Sequence, residues 1–197
     1  MIIINVFKRL VYIMWVIKTS IFYKPFFKVC GKRVIIIKPI LITKKFISLG
    51  NKILIRNFAR IEGIDFYQGI FYQPEIIIGN FVSIEQNLHL TCAKKIIIGS
   101  NTSIAANVTI TDIDHGYEDI ETPPEKQPLI VNSVIIGEDC KIFNNAVLLA
   151  GTQLGKHTIV AANAVVRGKF PNNCVIGGIP AKIIKLYNNQ NNCWERV

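Results

Sequence analysis

The sequence predicts a mainly β solenoid of three-sided coils, and the spacing of its aliphatic residues carries the prediction. From Ile136 an aliphatic residue returns at every sixth position: Ile142, Leu148, Leu154, Val160, Val166. Four residues after each of the first five sits a small one, Cys140, Ala146, Thr152, Thr158 and Ala164, and Gly137 and Gly155 directly follow their aliphatic partners. The same template returns at Ile78-Gly79 with Ile84 and Leu90, and at Ile98-Gly99 with Ile104 and Ile110. A fainter copy runs from Ile37 through Thr43, Leu49, Ile55 and Ile61. Neither an amphipathic helix nor a two-residue strand alternation generates this spacing.

Three six-residue sides close a coil of 18 residues, as from Ile136 to Leu154 or Ile37 to Ile55. Ile78 to Ile98 is then a coil with two residues inserted. The aliphatic residue points to the axis, and the small residue sits near a corner where a larger one would clash. The glycines are expected to supply backbone conformations that other residues reach only with strain. Successive coils stack about 4.8 Å apart.

Composition agrees with one folded domain. Of 197 residues, half are hydrophobic and 18% charged, with mean hydropathy +0.35, which excludes a disordered or collagen-like chain. The net charge is +10. The basic residues read as spread over turns and both termini with no nucleic-acid recognition motif. Phosphates of a ligand, an anionic membrane or an anionic sugar account for them more economically than nucleic acid. Cys30, Cys92, Cys140, Cys174 and Cys193 are odd in number, widely spaced and without a CxxC pair. That indicates neither a disulfide framework nor a zinc site, and predicts reduced thiols in a cytosol.

Residues 1–34 read as a short helical segment. Lys8 and Arg9 precede the apolar run from Leu10 to Ile17, which is far shorter than the roughly 20 residues that span a bilayer. The more ordinary reading packs Trp15, Ile13 and Phe22 on the body; the other rests a basic, aromatic helix, residues 1–30, on anionic lipid. Residues 35–178 form the coils, and residues 179–197 close them with a short helix or tail.

The period stops at Ile110 and resumes at Val134. Loop 111–133 holds Thr111-Asp112-Ile113-Asp114-His115-Gly116-Tyr117-Glu118-Asp119, one of three histidines among four acidic residues. Loops of this length in a compact domain are usually functional or disordered. A neutral imidazole accepts a proton near pH 7, and a neighbouring carboxylate or carbonyl fixes its tautomer. A surface turn rich in Asp and Gly is the competing reading of the local sequence.

Over roughly residues 35–187 the chain resembles the hexapeptide-repeat, left-handed parallel β-helix acyltransferases, the superfamily of galactoside, maltose and serine acetyltransferases. Ile110 to Tyr117 most resembles the loop of enzymes that O-acetylate capsular and lipopolysaccharide sugars. Val175-Ile176-Gly177-Gly178-Ile179-Pro180-Ala181-Lys182-Ile183-Ile184-Lys185 matches the family's closing segment nearly throughout. Ala161-Ala162-Asn163-Ala164-Val165-Val166 stands where Gly-Ala-Gly-Ser-Val-Val is usual.

The resemblance implies a homotrimer that uses acetyl-CoA and needs no metal. His115 would take a proton from a sugar hydroxyl, with Asp114, Asp112 or a backbone carbonyl orienting it. Asn144, Gly151 and Ala162 would line the pantetheine slot, and Arg167, Lys169, Lys182 and Lys185 would meet the nucleotide phosphates. Asn87, His89 and Tyr117 are the candidate acceptor contacts; His157 reads as structural. The acceptor would be a free, nucleotide-linked or lipid-linked saccharide, and the setting cytoplasmic, at the inner face of the membrane if the N-terminus touches lipid. The sequence departs from the family pattern in two places. Cys140-Lys141-Ile142-Phe143 replaces Val-Trp-Ile-Gly, and Arg167-Gly168-Lys169 replaces Thr-Lys-Asp. N-acetylation of an amino sugar and a non-catalytic scaffold are the alternatives.

Overall fold

Three inward ladders run the length of the molecule. In the computed structural model, which describes residues 2–197 and side chains from residue 10, Ile36, Ile55, Ile84, Ile104, Ile142, Val160 and Ile176 stand in register on one face. A second face aligns Leu49, Ile78, Ile98, Ile136, Leu154 and Phe170. The last aligns Ile42, Ile61, Leu90, Ile110, Leu148 and Val166. Most of these side chains are fully buried, and burying each contributes roughly 1.5–3 kcal/mol. The strands of the coils are two to five residues long and pair with one another only in parallel, forming the three-sided solenoid that the period predicts and the left-handed parallel β-helix that the resemblance implies. For reference the face of Leu49 is called the first, that of Ile36 the second and that of Ile42 the third.

The faint block is out of phase with its expected reading. Ile36 and Ile42 point inward, rather than Ile37 and Thr43, because the 3-10 turn Lys44–Phe46 lengthens the step from Ile42 to Leu49 to seven residues. The glycines also act differently from the expectation. Gly79, Gly99, Gly137 and Gly155 do not hold the left-handed conformation; it falls two residues later, at Phe81, Asn101, Asp139 and His157. Each glycine is needed because a Cβ would stand 2.5–2.7 Å from the next coil. The small corner residues behave as read: Cys140, Ala146, Thr152, Thr158 and Ala164 are all buried.

Helix α1 (Ile2–Lys18) continues through a π turn, Thr19–Tyr23, and lies on the open N-terminal end of the coil. Trp15 and Thr19 face the body, and Thr19 Oγ1 accepts a hydrogen bond from Ile36 N at 3.0 Å. Ile13 and Phe22, expected to pack there with Trp15, are instead exposed. Met1 and the side chains of residues 2–9, including the charges of Lys8 and Arg9, lie outside the described residues. At the other end, the segment read as a short helix or tail is two antiparallel strands, Ala181–Asn188 and Cys193–Arg196, laid on Cys174–Gly178. All five cysteines are free, and Cys92, Cys140 and Cys174 are buried.

Candidate active site

Two excursions leave the coil between the third and first faces, and they meet outside it. The shorter carries a hairpin, Phe66–Tyr67 paired with Ile70–Phe71; the longer is an arm, Ile113–His115 paired antiparallel with Leu129–Val131. Gly116 N donates to Pro128 O, and the buried Gln127 amide ties the tip together through Asp119 O and Thr122 O. The hairpin clamps this arm. Tyr67 hydroxyl donates to Glu125 O at 2.7 Å, Gln68 Nε2 donates to the same oxygen at 2.8 Å, and Leu129 N donates to Tyr72 hydroxyl at 3.1 Å. Burial and the Glu125 carboxylate push the Tyr67 phenol up. Where the hairpin segment rejoins the coil, Lys95 and Lys28 both ion-pair with Glu75 and hold its carboxyl at about 2.

His115 sits at the base of the arm with an exposed ring, and Tyr67 meets it edge-on, its hydroxyl 3.5 Å from Nδ1. Beneath lies a cleft of about 380 Å³ over the third face. Its floor is made by residues flanking the inward ladder, which strand alternation turns outward. Arg60, His89 and Thr109 form one row in register, and Glu62, Thr91 and Thr111 form the next. Arg60 is ion-paired with Glu62, and Thr91 donates to Thr111. Tyr67, Ile113, His115 and Leu129 make the wall.

The cleft therefore brings together His115 and His89 but not the other expected residues. Asp112 is fully buried and its carboxylate is engaged elsewhere: it accepts from Ala93 N, Lys94 N and Lys95 N at 2.6–2.9 Å. It tethers the root of the arm to the corner of the preceding coil. Burial, and then this carboxylate, push the neighbouring Cys92 thiol up. Asp114 is also spoken for, because both its oxygens accept from Arg167 at 2.8 and 2.9 Å. The same fork raises the Arg167 pKa and occupies a guanidinium expected to meet phosphate. Neither aspartate orients His115 here. Asn87 heads a ladder of corner amides, Asn87, Asn107, Asn145 and Asn163, each in the left-handed region and each bonded to the next. Tyr117 is 72% exposed and lies outside the cleft.

The residues expected at a donor slot fall into separate groups. Asn144 and Ala162 are exposed at stacked corners between the second and third faces, where Asn163 N donates to Asn144 O. Gly151, at φ +82°, lies at the corner from which the arm leaves, and its N–H donates to Asn132 O. Lys169 is exposed at that corner, whereas Lys182 and Lys185 stand on the closing strand. None of these three lysines has a carboxylate within ion-pair distance among the described residues. Small corners and unpaired cations are the two features that a slender ligand carrying phosphates calls for. Among the described residues, no group of three or more His, Cys, Asp or Glu is gathered as a metal site.

Sequence reasoning missed Tyr67, Arg60 and Glu62. The long gap between Ile61 and Ile78 is the signal that could have found the first, and the outward position beside Ile61 the other two.

Comparison with known proteins places this architecture. A family profile described as "Bacterial transferase hexapeptide (six repeats)" matches residues 133–168. The putative lipopolysaccharide biosynthesis O-acetyl transferase WbbJ of Escherichia coli is 35% identical over 157 residues, covering 73% of this chain and 80% of that protein. A probable acetyltransferase of Mycobacterium tuberculosis is 29% identical over 77% of this chain and 45% of its own length. Among solved structures, a point mutant of AntD, an N-acyltransferase from Bacillus cereus, in complex with dTDP-4-amino-4,6-dideoxyglucose and coenzyme A, superposes with TM-score 0.69 at 17% identity, covering 85% of this chain and 88% of that one. A hexapeptide-repeat acetyltransferase from Vibrio cholerae, complexed with acetyl-CoA, gives TM-score 0.55 at 19% identity, covering 84% and 74%. The chain belongs to the bacterial hexapeptide-repeat transferases. Within them it is an acyltransferase.

Proposed function

We propose that this acyltransferase moves an acetyl group from acetyl-CoA to a hydroxyl of a saccharide used in surface-polysaccharide assembly, with His115 as general base. The observation that carries the reading is the place of His115: an exposed imidazole held by a clamped arm above a cleft floored with Arg60, His89 and three threonines. Such a floor offers the hydrogen-bonding partners that sugar hydroxyls require. Tyr67, with its proton given to Glu125 O, is free to accept from Nδ1–H. That tautomer leaves Nε2 unprotonated toward the cleft.

In the proposed step Nε2 takes the acceptor's hydroxyl proton as its oxygen bonds to the thioester carbonyl carbon. The C–S bond then breaks, and the imidazolium returns the proton to the departing thiolate. Asn144 and Ala162 would flank the pantetheine, with Lys182 and Lys185 near the phosphates. Because these stand at a different corner from His115, one protomer's arm would work against its neighbour's donor corner in a homotrimer. The setting is the cytoplasm. A second reading, acylation of an amino sugar, draws support from the fold shared with the Bacillus cereus N-acyltransferase.

The test is to incubate the protein with acetyl-CoA and a panel of nucleotide- and lipid-linked sugars, following thiol release and treating the product with neutral hydroxylamine. Thiol release with a hydroxylamine-labile acetyl is the expected result. A hydroxylamine-stable acetyl would move the reaction to an amine. No release with any acceptor, together with no thermal stabilisation by CoA, would leave a scaffold.

A further inference from the structure

The two ends of the solenoid differ in charge and in covering. Of the 23 Lys and Arg, thirteen lie in residues 1–61 and ten in the rest, whereas all 13 Asp and Glu lie beyond residue 61. The basic residues, read as spread over turns and both termini, are thus weighted to one end: the N-terminal segment carries +13 and the remainder −3. Lys18, Lys32, Arg33, Lys38, Lys44 and Lys52 have no carboxylate within ion-pair distance among the described residues.

This same end presents an unpartnered apolar stripe. With Trp15 and Thr19 packed on the coil, Leu10, Ile13, Met14, Ile17 and Ile21 fall on the opposite side of the helix, each 44–59% exposed. Phe22 and Phe26 prolong it. Beside the helix a groove of about 330 Å³ is lined by Tyr12, Arg33, Ile35, Lys52, Ile53 and Leu54, two cations without an ion-pair partner over an apolar floor. No helix among the described residues is long and apolar enough to cross a membrane.

We infer that the N-terminal end is a docking face for an anionic lipid bilayer, with the α1 stripe lying in the headgroup boundary and the flanking cations on lipid phosphates. Charge complementarity selects this occupant. A second copy of the chain on the same face would set Lys18, Lys32, Arg33, Lys38, Lys44 and Lys52 against the same cations of its partner, whereas an anionic leaflet attracts each of them and buries the stripe. The inference is independent of the transferase reading, and its measurement uses no acceptor.

The full chain is sedimented with phosphatidylcholine vesicles, with and without about a third phosphatidylglycerol, at about 0.05 and about 0.5 M NaCl. Ile13→Glu/Ile17→Glu and Arg33→Glu/Lys52→Glu change only exposed side chains, and circular dichroism checks that the coils persist. The expected result is partition to anionic vesicles that falls at least about tenfold for neutral lipid, for high salt and for each double variant. Protein that stays in the supernatant with anionic vesicles overturns the inference, as does equal binding to both lipids. So does a Glu variant that lowers the oligomeric state in light scattering while vesicle binding is unchanged, which would assign the stripe to a second copy.

Discussion

Two corners of the triangle obey the six-residue period at every coil, and the third almost never does. From the first face to the second, every inward step is six residues, as Ile78 to Ile84 and Leu154 to Val160; from the second to the third it is again six, as Ile104 to Ile110. From the third face back to the first, the steps run from four residues, Val166 to Phe170, to twenty-six, Ile110 to Ile136. The difference lies in how each corner is locked. The regular corners carry a left-handed residue in each coil, and in the middle coils these are Asn and Asp whose side chains bond from coil to coil, as Asn101 to Asp139 and Asn107 to Asn145. At the third corner left-handed residues occur, as at Gly151 and Gly168, but no column of side chains bonds them from coil to coil, so the chain can leave there and return without disturbing the ladders. Loop-closure entropy grows slowly with length, so long excursions cost little once the ladders on either side are in register.

That contrast can be broken from either side. A two-residue insertion after Asn145 should be the most damaging change, because it severs the bonds to Asn107 and Asn163 and displaces Leu148 from its ladder. We expect a loss of about 3–5 kcal/mol in chemical denaturation, while the same insertion after the exposed Tyr117, outside the Gln127 tie, changes stability by about 0.5 kcal/mol or less. Asp112→Ala should come next. It strips three backbone N–H groups of their acceptor and should cost about 2–3 kcal/mol, with faster hydrogen exchange at Ala93, Lys94 and Lys95. Tyr67→Phe should be the mildest. The clamp keeps its Gln68 and Tyr72 bonds, so the melting temperature should hardly move, while kcat falls by about three- to tenfold as His115 loses its neighbouring hydroxyl.

The regular corners were legible in the sequence, since one inward aliphatic and one small residue per side state the geometry outright. The irregular corner was legible only as a gap. His115 stood out because histidine is scarce and the loop is long. The partners of Asp112 and Asp114 were not visible, because Lys95 and Arg167 reach them across coils that sequence separation hides. Tyr67 was missed for the same reason: it meets the arm from a segment 48 residues away from His115. The phase slip at Ile36 arose where one extra residue at Lys44–Phe46 shifted a faint repeat among neighbouring isoleucines, any of which could face inward. The closing strands were missed because Ala181 to Asn188 pairs antiparallel to a parallel sheet, outside the period altogether.

The central claim is that the free corner exists to hold one imidazole over the cleft. It is tested most directly by comparing turnover and CoA binding of His115→Ala with those of the unaltered chain. The account predicts a fall in kcat of about 10²–10⁴ with CoA affinity unchanged. Turnover within a few-fold of the unaltered chain would contradict it.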